Sequence, residues 1–237
     1  MNDGRVAIVT GGNRGLGLEV CRQLASQNYR VVLTSRDEAK GAAAVQALAS
    51  DGLEVLYHGL DVRDDSNIAR AVGFVLSALG SIDVVVNNAG IHLDEPVDGR
   101  RNALVTSDET LLHSVDVNTF GAYRMCRRVL PIMENGGYGR IVNVSSGAGQ
   151  LWDMDDEYPA YQISKTAMNA VTRVFAAASH DCVKVNSVCP GWVKTDMGGP
   201  NARLEISEGV QTIVWLATAG ADAPNGAFYR DNKTIDW

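Results

Sequence analysis

Tyr161 and Lys165 stand four residues apart in Tyr161-Gln162-Ile163-Ser164-Lys165, a spacing that sets both side chains on one face of a helix. Reducing a carbonyl needs a hydride donor on one side of the carbon and a proton donor at the oxygen. A free tyrosine titrates at about pH 10, too high to ionise readily at neutral pH. A neighbouring ammonium and an oxidised nicotinamide would both favour the phenolate and ease proton exchange in either direction. Ser146 ends the run Ile141-Val142-Asn143-Val144-Ser145-Ser146, where a hydroxyl could bond a developing oxyanion. A plain turn serine is the alternative there, as it is for Ser145. Asn118, in Val117-Asn118-Thr119-Phe120-Gly121, falls in mid-helix, where asparagine is a poor helix former. A local bulge carrying a water toward Lys165 would hold it; an ordinary surface asparagine is the alternative.

A second group of residues could hold a phosphate-bearing cofactor. Thr10-Gly11-Gly12-Asn13-Arg14-Gly15-Leu16-Gly17 lies between an apolar run and a helical pattern, the context a dinucleotide turn requires. Glycines let the backbone turn and approach a pyrophosphate, and the helix N-terminus adds N–H donors and a favourable dipole. The pattern is T-G-x-x-x-G-x-G and not G-x-G-x-x-G, and an ordinary Gly-rich turn is the alternative reading. The second apolar run ends Leu33-Thr34-Ser35-Arg36. NAD-selective folds place an acid there, whereas a basic residue suits the 2′-phosphate of NADPH. Arg36 can donate bidentate bonds to a phosphate, Arg14 could reach the same group, and both could also be solvated surface arginines. Asp37, one residue on, argues the other way.

These residues need elements to position them. Val6-Ala7-Ile8-Val9, 30–34, 53–57, 82–86, 140–144 and 183–188 are short β-branched runs, apolar on both faces, as in a parallel sheet covered on both sides. Helical patterns separate them: 16–26, 39–49 and a long helix after Thr106-Ser107-Asp108-Glu109, where Thr106 and Glu109 have capping-box spacing. Strand and helix alternating six times predict an α/β, Rossmann-type doubly wound parallel sheet flanked by helices on both faces, as a single domain over 1–237. Segments 91–105, 147–157 and 198–206 are irregular. The first two follow predicted strands and are placed to edge a site at the carboxyl ends.

Composition narrows the function classes. The net charge of -7 argues against nucleic-acid or anionic-membrane partners. The N-terminal residues lack signal-peptide regions, and no apolar run approaches the ~20 residues of a membrane span, so a cytoplasmic chain without a membrane partner is expected. Cys21, Cys126, Cys182 and Cys189 show no C-x-x-C spacing and read as buried small hydrophobes; the four histidines form no H-x-x-x-H pair, so no metal site is expected.

Taken in order, these segments resemble the short-chain dehydrogenase/reductase family over nearly the whole chain. The resemblance rests on Thr10 to Gly17, Asp61-Val62, Asn87-Asn88-Ala89-Gly90, Asn118, Ser146, Tyr161/Lys165 and Pro190-Gly191-Trp192-Val193-Lys194-Thr195. It implies Tyr161 as general acid in reduction, Ser146 as the group orienting the carbonyl, and Asn118 as holding a proton-relay water. Lys165 would also bind the nicotinamide ribose. NADPH/NADP+ would be held by Gly11, Asn13, Arg14, Gly15, Leu16, Gly17, Ser35 and Arg36, by Asp61 and Val62 beside the adenine, and by Asn88, Ala89 and Gly90. Pro190, Gly191, Val193 and Thr195 would hold the nicotinamide end. Tyr158 is a decoy, because Gln162 occupies its i+4 place.

Within the family the chain is similar to NADPH-dependent carbonyl reductases, in Thr34-Ser35-Arg36-Asp37, Cys189 to Met197 and the tail Gly226 to Trp237. Animal members with that tail carry a long insertion between the catalytic serine and tyrosine, associated with monomers; it is absent here, which leaves monomer or homo-oligomer open. The expected substrate is a small-molecule carbonyl: a ketone, aldehyde or quinone, hydrophobic if Leu151, Trp152, Trp192 and Met197 line the pocket. An NADPH-binding sensor without turnover is the alternative, and the presence of all four residues of the Asn118, Ser146, Tyr161, Lys165 set weighs against it.

Overall fold

The computed structural model describes residues 4–237. The six apolar runs become β1 (Val6–Val9), β2 (Arg30–Ser35), β3 (Val55–Gly59), β4 (Val84–Asn87), β5 (Gly139–Val144) and β6 (Val183–Val188). They pair in parallel in the order β3-β2-β1-β4-β5-β6. Side chains alternate across a strand, and the two faces feed two cores. Ile8, Val32, Val85, Ile141 and Val185 pack toward α3 (Asp65–Leu79), α5 (Gly121–Gly136) and α6 (Pro159–Ala178), against Ile68, Met125, Met133 and Phe175. Ala7, Val9, Val31, Leu33, Val84 and Val142 pack toward α1 (Gly15–Ser26), α2 (Glu38–Ser50) and α8 (Gln211–Ala217), against Val20, Leu24, Leu48 and Ile213. The sheet is therefore doubly wound, as the alternation of runs predicts.

The structure refines several boundaries. Leu53 and Glu54 precede β3, because the Leu53 N–H closes α2 on the Leu48 carbonyl through Gly52 at φ 77°. The long helix after 106–109 exists but is divided into α4 (Asp108–Val115), a π-helical turn (Asp116–Phe120) and α5. Its cap is Ser107, whose hydroxyl accepts from Thr110 N at 3.1 Å; Thr106 instead bonds the Asn102 carbonyl. Two strands were not foreseen. β7 (Phe228–Arg230) extends the sheet parallel to β6, and β8 (Lys233–Thr234) returns antiparallel. Asp231 and Asn232 make the tight turn between them at φ 52° and 58°, a left-handed conformation these two residue types tolerate.

The order reverses at β1, with β2 on one side and β4 on the other, so a crevice opens above their carboxyl ends. Segments 91–105 and 147–158 and the connection into α7 (Ile206–Gly209) rise around it. Among the described residues, no helix is long and apolar enough to cross a membrane, and no cluster of His, Cys, Asp or Glu is placed to hold a metal. All four cysteines are free thiols.

Candidate active site

The crevice is one continuous cavity of about 1130 Å³ running from the glycine turn to Tyr161. At one end the turn is built for close approach. Gly11 and Gly15 have φ 64° and 54°, which side-chain-bearing residues rarely adopt. A Cβ at Gly11 would stand 3.0 Å from the Ala89 backbone, and one at Gly17 would strike the Gly11 carbonyl and the Asn88 amide. Gly11, Asn13, Arg14, Gly15 and Leu16 line the cavity; Gly17 does not, and its part is packing behind the turn. α1 starts with no side-chain cap and no acid in its first turn, so its N–H groups and positive dipole end face the cavity uncompensated. These features fit a pyrophosphate.

The turn is fastened to β4. The Thr10 hydroxyl accepts from Asn88 N at 3.0 Å and Ala89 N at 2.9 Å, and the Asn88 amide donates to the Thr10 and Gly11 carbonyls at 2.9 and 3.1 Å. Asn88 thus spends its side-chain N–H groups on the backbone, and what it offers the cavity is its position beside Ala89 and Gly90.

Ser35, Arg36, Leu60, Asp61 and Val62 line the next stretch. The doubt raised by Asp37 is resolved by local structure. It is the N-cap of α2, its carboxylate accepting from Lys40 N at 3.0 Å, and that bond holds it below the usual carboxylate range. Asp61 is bound by Arg63 at 2.6 Å, which likewise lowers it. Arg36 takes part in no ion pair among the described residues, whereas Arg14 meets Asp196 at 2.6 Å across the cavity mouth. Both partners of that pair are largely exposed, so the pair is weak and open to exchange for another anion. Pro190, Gly191, Val193 and Thr195 line the cavity beyond the turn, with Trp192 and Met197; Leu151 and Trp152 do not, and stand largely exposed.

At the far end, Tyr161 and Lys165 lie one turn apart on α6 and face Ser146 at the end of β5. Lys165 is 3 % exposed and its ammonium donates to the Val144 carbonyl at 2.8 Å, 5.6 Å from the centre of the Tyr161 ring. Burial pulls Lys165 down to about 8 and pushes Tyr161 up to about 12, the Ser146 hydroxyl's bond to it offsetting only part of that. In the chain alone, desolvation of Tyr161 therefore outweighs the nearby ammonium. The arrangement offers one oxygen substituent two hydrogen-bonding hydroxyls with a buried cation behind them.

The family model for short chain dehydrogenase matches residues 5–205. The chain belongs to the short-chain dehydrogenase family. It is similar to (+)-neomenthol dehydrogenase of Arabidopsis thaliana, 35 % identical over 98 % of each chain, and to carbonyl reductase [NADPH] 1 of Bos taurus, 32 % identical over 98 % of each. The neomenthol dehydrogenase alignment runs over 292 residues against a chain of 237, so that relative carries inserted segments absent here. Among solved structures, salutaridine reductase from Papaver somniferum superposes with a TM-score of 0.83 at 29 % identity, covering 95 % of this chain and 99 % of that one. As a member of the family, the chain is an oxidoreductase, and carbonyl reductases are among its relatives.

Asn118 is fully buried at the centre of the π turn, which favours the bulge over the surface asparagine that was the alternative reading. Both of its side-chain N–H groups are used: Nδ2 donates to the Ile91 carbonyl at 2.9 Å and to Ser164 Oγ at 2.9 Å, while Oδ1 accepts from Ile91 N at 2.8 Å. It does not line the cavity, but sits with Lys165 Nζ against Gly90. Tyr158 does line the cavity, although it heads α6 in a left-handed conformation and its hydroxyl is bonded by Arg101 at 3.2 Å. Sequence reasoning set 91–105 at the edge of the site without assigning a role to His92 or Asp94 there, and it did not count Cys189 or Arg230 among the site residues. The His92 ring packs 4.9 Å from both Tyr158 and Tyr161, and burial lowers its pKa. Cys189 is buried as expected, yet its sulfur also accepts from Gly147 N at 3.1 Å and from Arg230 Nε at 3.3 Å, joining the Ser146 loop to β7. No local pattern marks any of these four.

Proposed function

We propose that the protein transfers a hydride between NADPH and the carbonyl or alcohol carbon of a small, mainly hydrophobic ketone, aldehyde or quinone. The observation that carries this is the juxtaposition, in one cavity, of a glycine turn fit for a pyrophosphate with the Ser146, Tyr161 and Lys165 cluster at the other end. NADPH, when bound, supplies the hydride. The turn from Gly11 to Leu16 and the N-terminus of α1 hold the pyrophosphate, with Gly17 keeping the turn tight. Asp61 and Val62, on the cavity wall, would flank the adenine, and Arg36, with Arg14 once exchanged from Asp196, would pair with the 2′-phosphate. Ala89, Gly90, Pro190, Gly191, Val193 and Thr195 bound the nicotinamide end. The NADPH in the names of the carbonyl reductases supports the same choice of cofactor.

Ser146 donates to the substrate oxygen and fixes the carbonyl against the Tyr161 hydroxyl, which gives up its proton as negative charge grows there. Lys165 holds an ammonium behind the resulting phenolate and lowers the cost of forming it. Tyr161, held high by burial in the chain alone, would be brought down further by the positive charge that a bound nicotinamide gains on oxidation. Asn118, through the π turn and its bonds to Ile91, keeps Gly90 and Lys165 in register for proton resupply. Trp192 and Met197 supply apolar lining for the substrate. The test is NADPH and NADH oxidation followed in parallel against a panel of aldehydes, ketones and quinones. Turnover with NADPH well above NADH is expected; binding without turnover across the panel would point to a sensor.

A further inference from the structure

Helix α6 carries Tyr161 and Lys165 but starts without a cap of its own. Tyr158 occupies the N-cap position at φ 52° with no side-chain acceptor, and Pro159 begins the helix. The first four N–H groups of an α-helix have no partner within it, and proline removes only one of them. The next two are met from another part of the chain. Asp94, in the segment after β4, accepts from Ala160 N at 3.0 Å through Oδ1 and from Tyr161 N at 2.9 Å through Oδ2. Its residue is 5 % exposed. Taking a carboxylate out of water is costly, and here two charge-assisted bonds and the positive end of the α6 dipole offset the cost.

We propose that Asp94 is the positioning residue for Tyr161: its carboxylate fixes the first turn of α6, and with it the place where the Tyr161 hydroxyl meets Ser146 and the substrate oxygen. The inference rests on the reductase reading above. The segment bearing Asp94 is itself held on both sides. Asn118 clamps Ile91 at its start, Arg101 bonds the Tyr158 hydroxyl farther along, and His92 packs on the Tyr161 ring. Asp94 is therefore a fixed point and not a mobile loop residue that happens to touch the helix. A serine or threonine at position 158 could accept from one of these two amides, whereas the two oxygens of the carboxylate accept from both.

The test compares the full-length wild type, Asp94→Ala and Asp94→Asn with a carbonyl compound that the wild type reduces. The readouts are kcat, KM, NADPH affinity by fluorescence titration and the solvent isotope effect on kcat. Asp94→Ala should lose about 10- to 100-fold in kcat, as expected when a reacting group is misplaced, while NADPH affinity stays within about twofold. Its solvent isotope effect should rise, because proton transfer from a displaced hydroxyl becomes slower. Asp94→Asn keeps one acceptor and should regain part of kcat. Wild-type kcat in Asp94→Ala, or a loss of kcat matched by loss of NADPH affinity with an unchanged isotope effect, would overturn the proposal. Should the alanine variant not fold, the asparagine variant decides: reduced kcat with a raised isotope effect supports the role, and wild-type values contradict it. No turnover by the wild type with any carbonyl would sink the reductase reading, and Asp94's role with it.

Discussion

One arginine, one lysine and one tyrosine carry the testable electrostatics. Arg36 faces the cavity while its acidic neighbour Asp37 is committed to capping α2, so the basic character of that end comes from structure and not from composition. Arg36→Asp removes the phosphate partner and adds repulsion. Its kcat/KM ratio for NADPH over NADH should fall by about 10- to 100-fold, the size expected of one charge-assisted pair. An unchanged ratio would make Arg36 a surface residue. Lys165 supplies a second test, through pH. Burial places it at about 8, so the ammonium is intact below that pH and is lost above it. The kcat/KM for NADPH reports the free enzyme and should decline as pH rises through about 8. Tyr161, held up to about 12, stays protonated throughout and adds no limb in that range. A profile flat to well above pH 8 would show that the ammonium is not required.

Among the elements, the glycine turn and the π turn do most to shape the site. Gly17 is the clearest structural constraint, because a Cβ there would strike both the Gly11 carbonyl and the Asn88 amide. Gly17→Ala should lower stability by about 1–3 kcal/mol, the usual cost of overpacking, and weaken NADPH binding at least as much; a melting curve and a fluorescence titration read the two. The strands around the turn were legible in sequence because burial on both faces leaves uninterrupted β-branched runs such as Val6–Val9. The π turn was legible from one residue, Asn118, set where a helix gains nothing from asparagine. β7 and β8 were not, since two or three residues leave no periodicity to read, and the Ser107 cap was hidden by the competing spacing of Thr106 and Glu109. The roles of Asp94 and Cys189 could not be read at all: Asp94 meets its helix 67 positions along the chain, and Cys189 reaches Arg230 across 41.

Across the whole molecule, the site is a meeting of segments far apart in sequence, each held by a different fastening. The glycine turn is tied to β4 by Thr10 and Asn88, the first turn of α6 by Asp94, and the Ser146 loop by the C-terminal tail. In that last fastening, Arg230 donates to Cys189 and Gln150, Gln150 donates to the Asp236 carbonyl at 2.8 Å, and Leu151 N bonds the Trp237 carbonyl. The Trp237 ring stacks on Phe228 with centroids 5.5 Å apart, which pins the tail to β7. The sheet supplies a rigid floor, and the loops above it supply chemistry at both ends of one cavity. The central claim is that this chemistry passes through the Tyr161 hydroxyl. The most direct measurement is single-turnover oxidation of enzyme-bound NADPH by a reducible carbonyl in wild type and Tyr161→Phe. Loss of one proton donor should slow the variant by about 100-fold or more while NADPH still binds as in wild type. Near-wild-type turnover with tyrosine replaced would contradict the assignment.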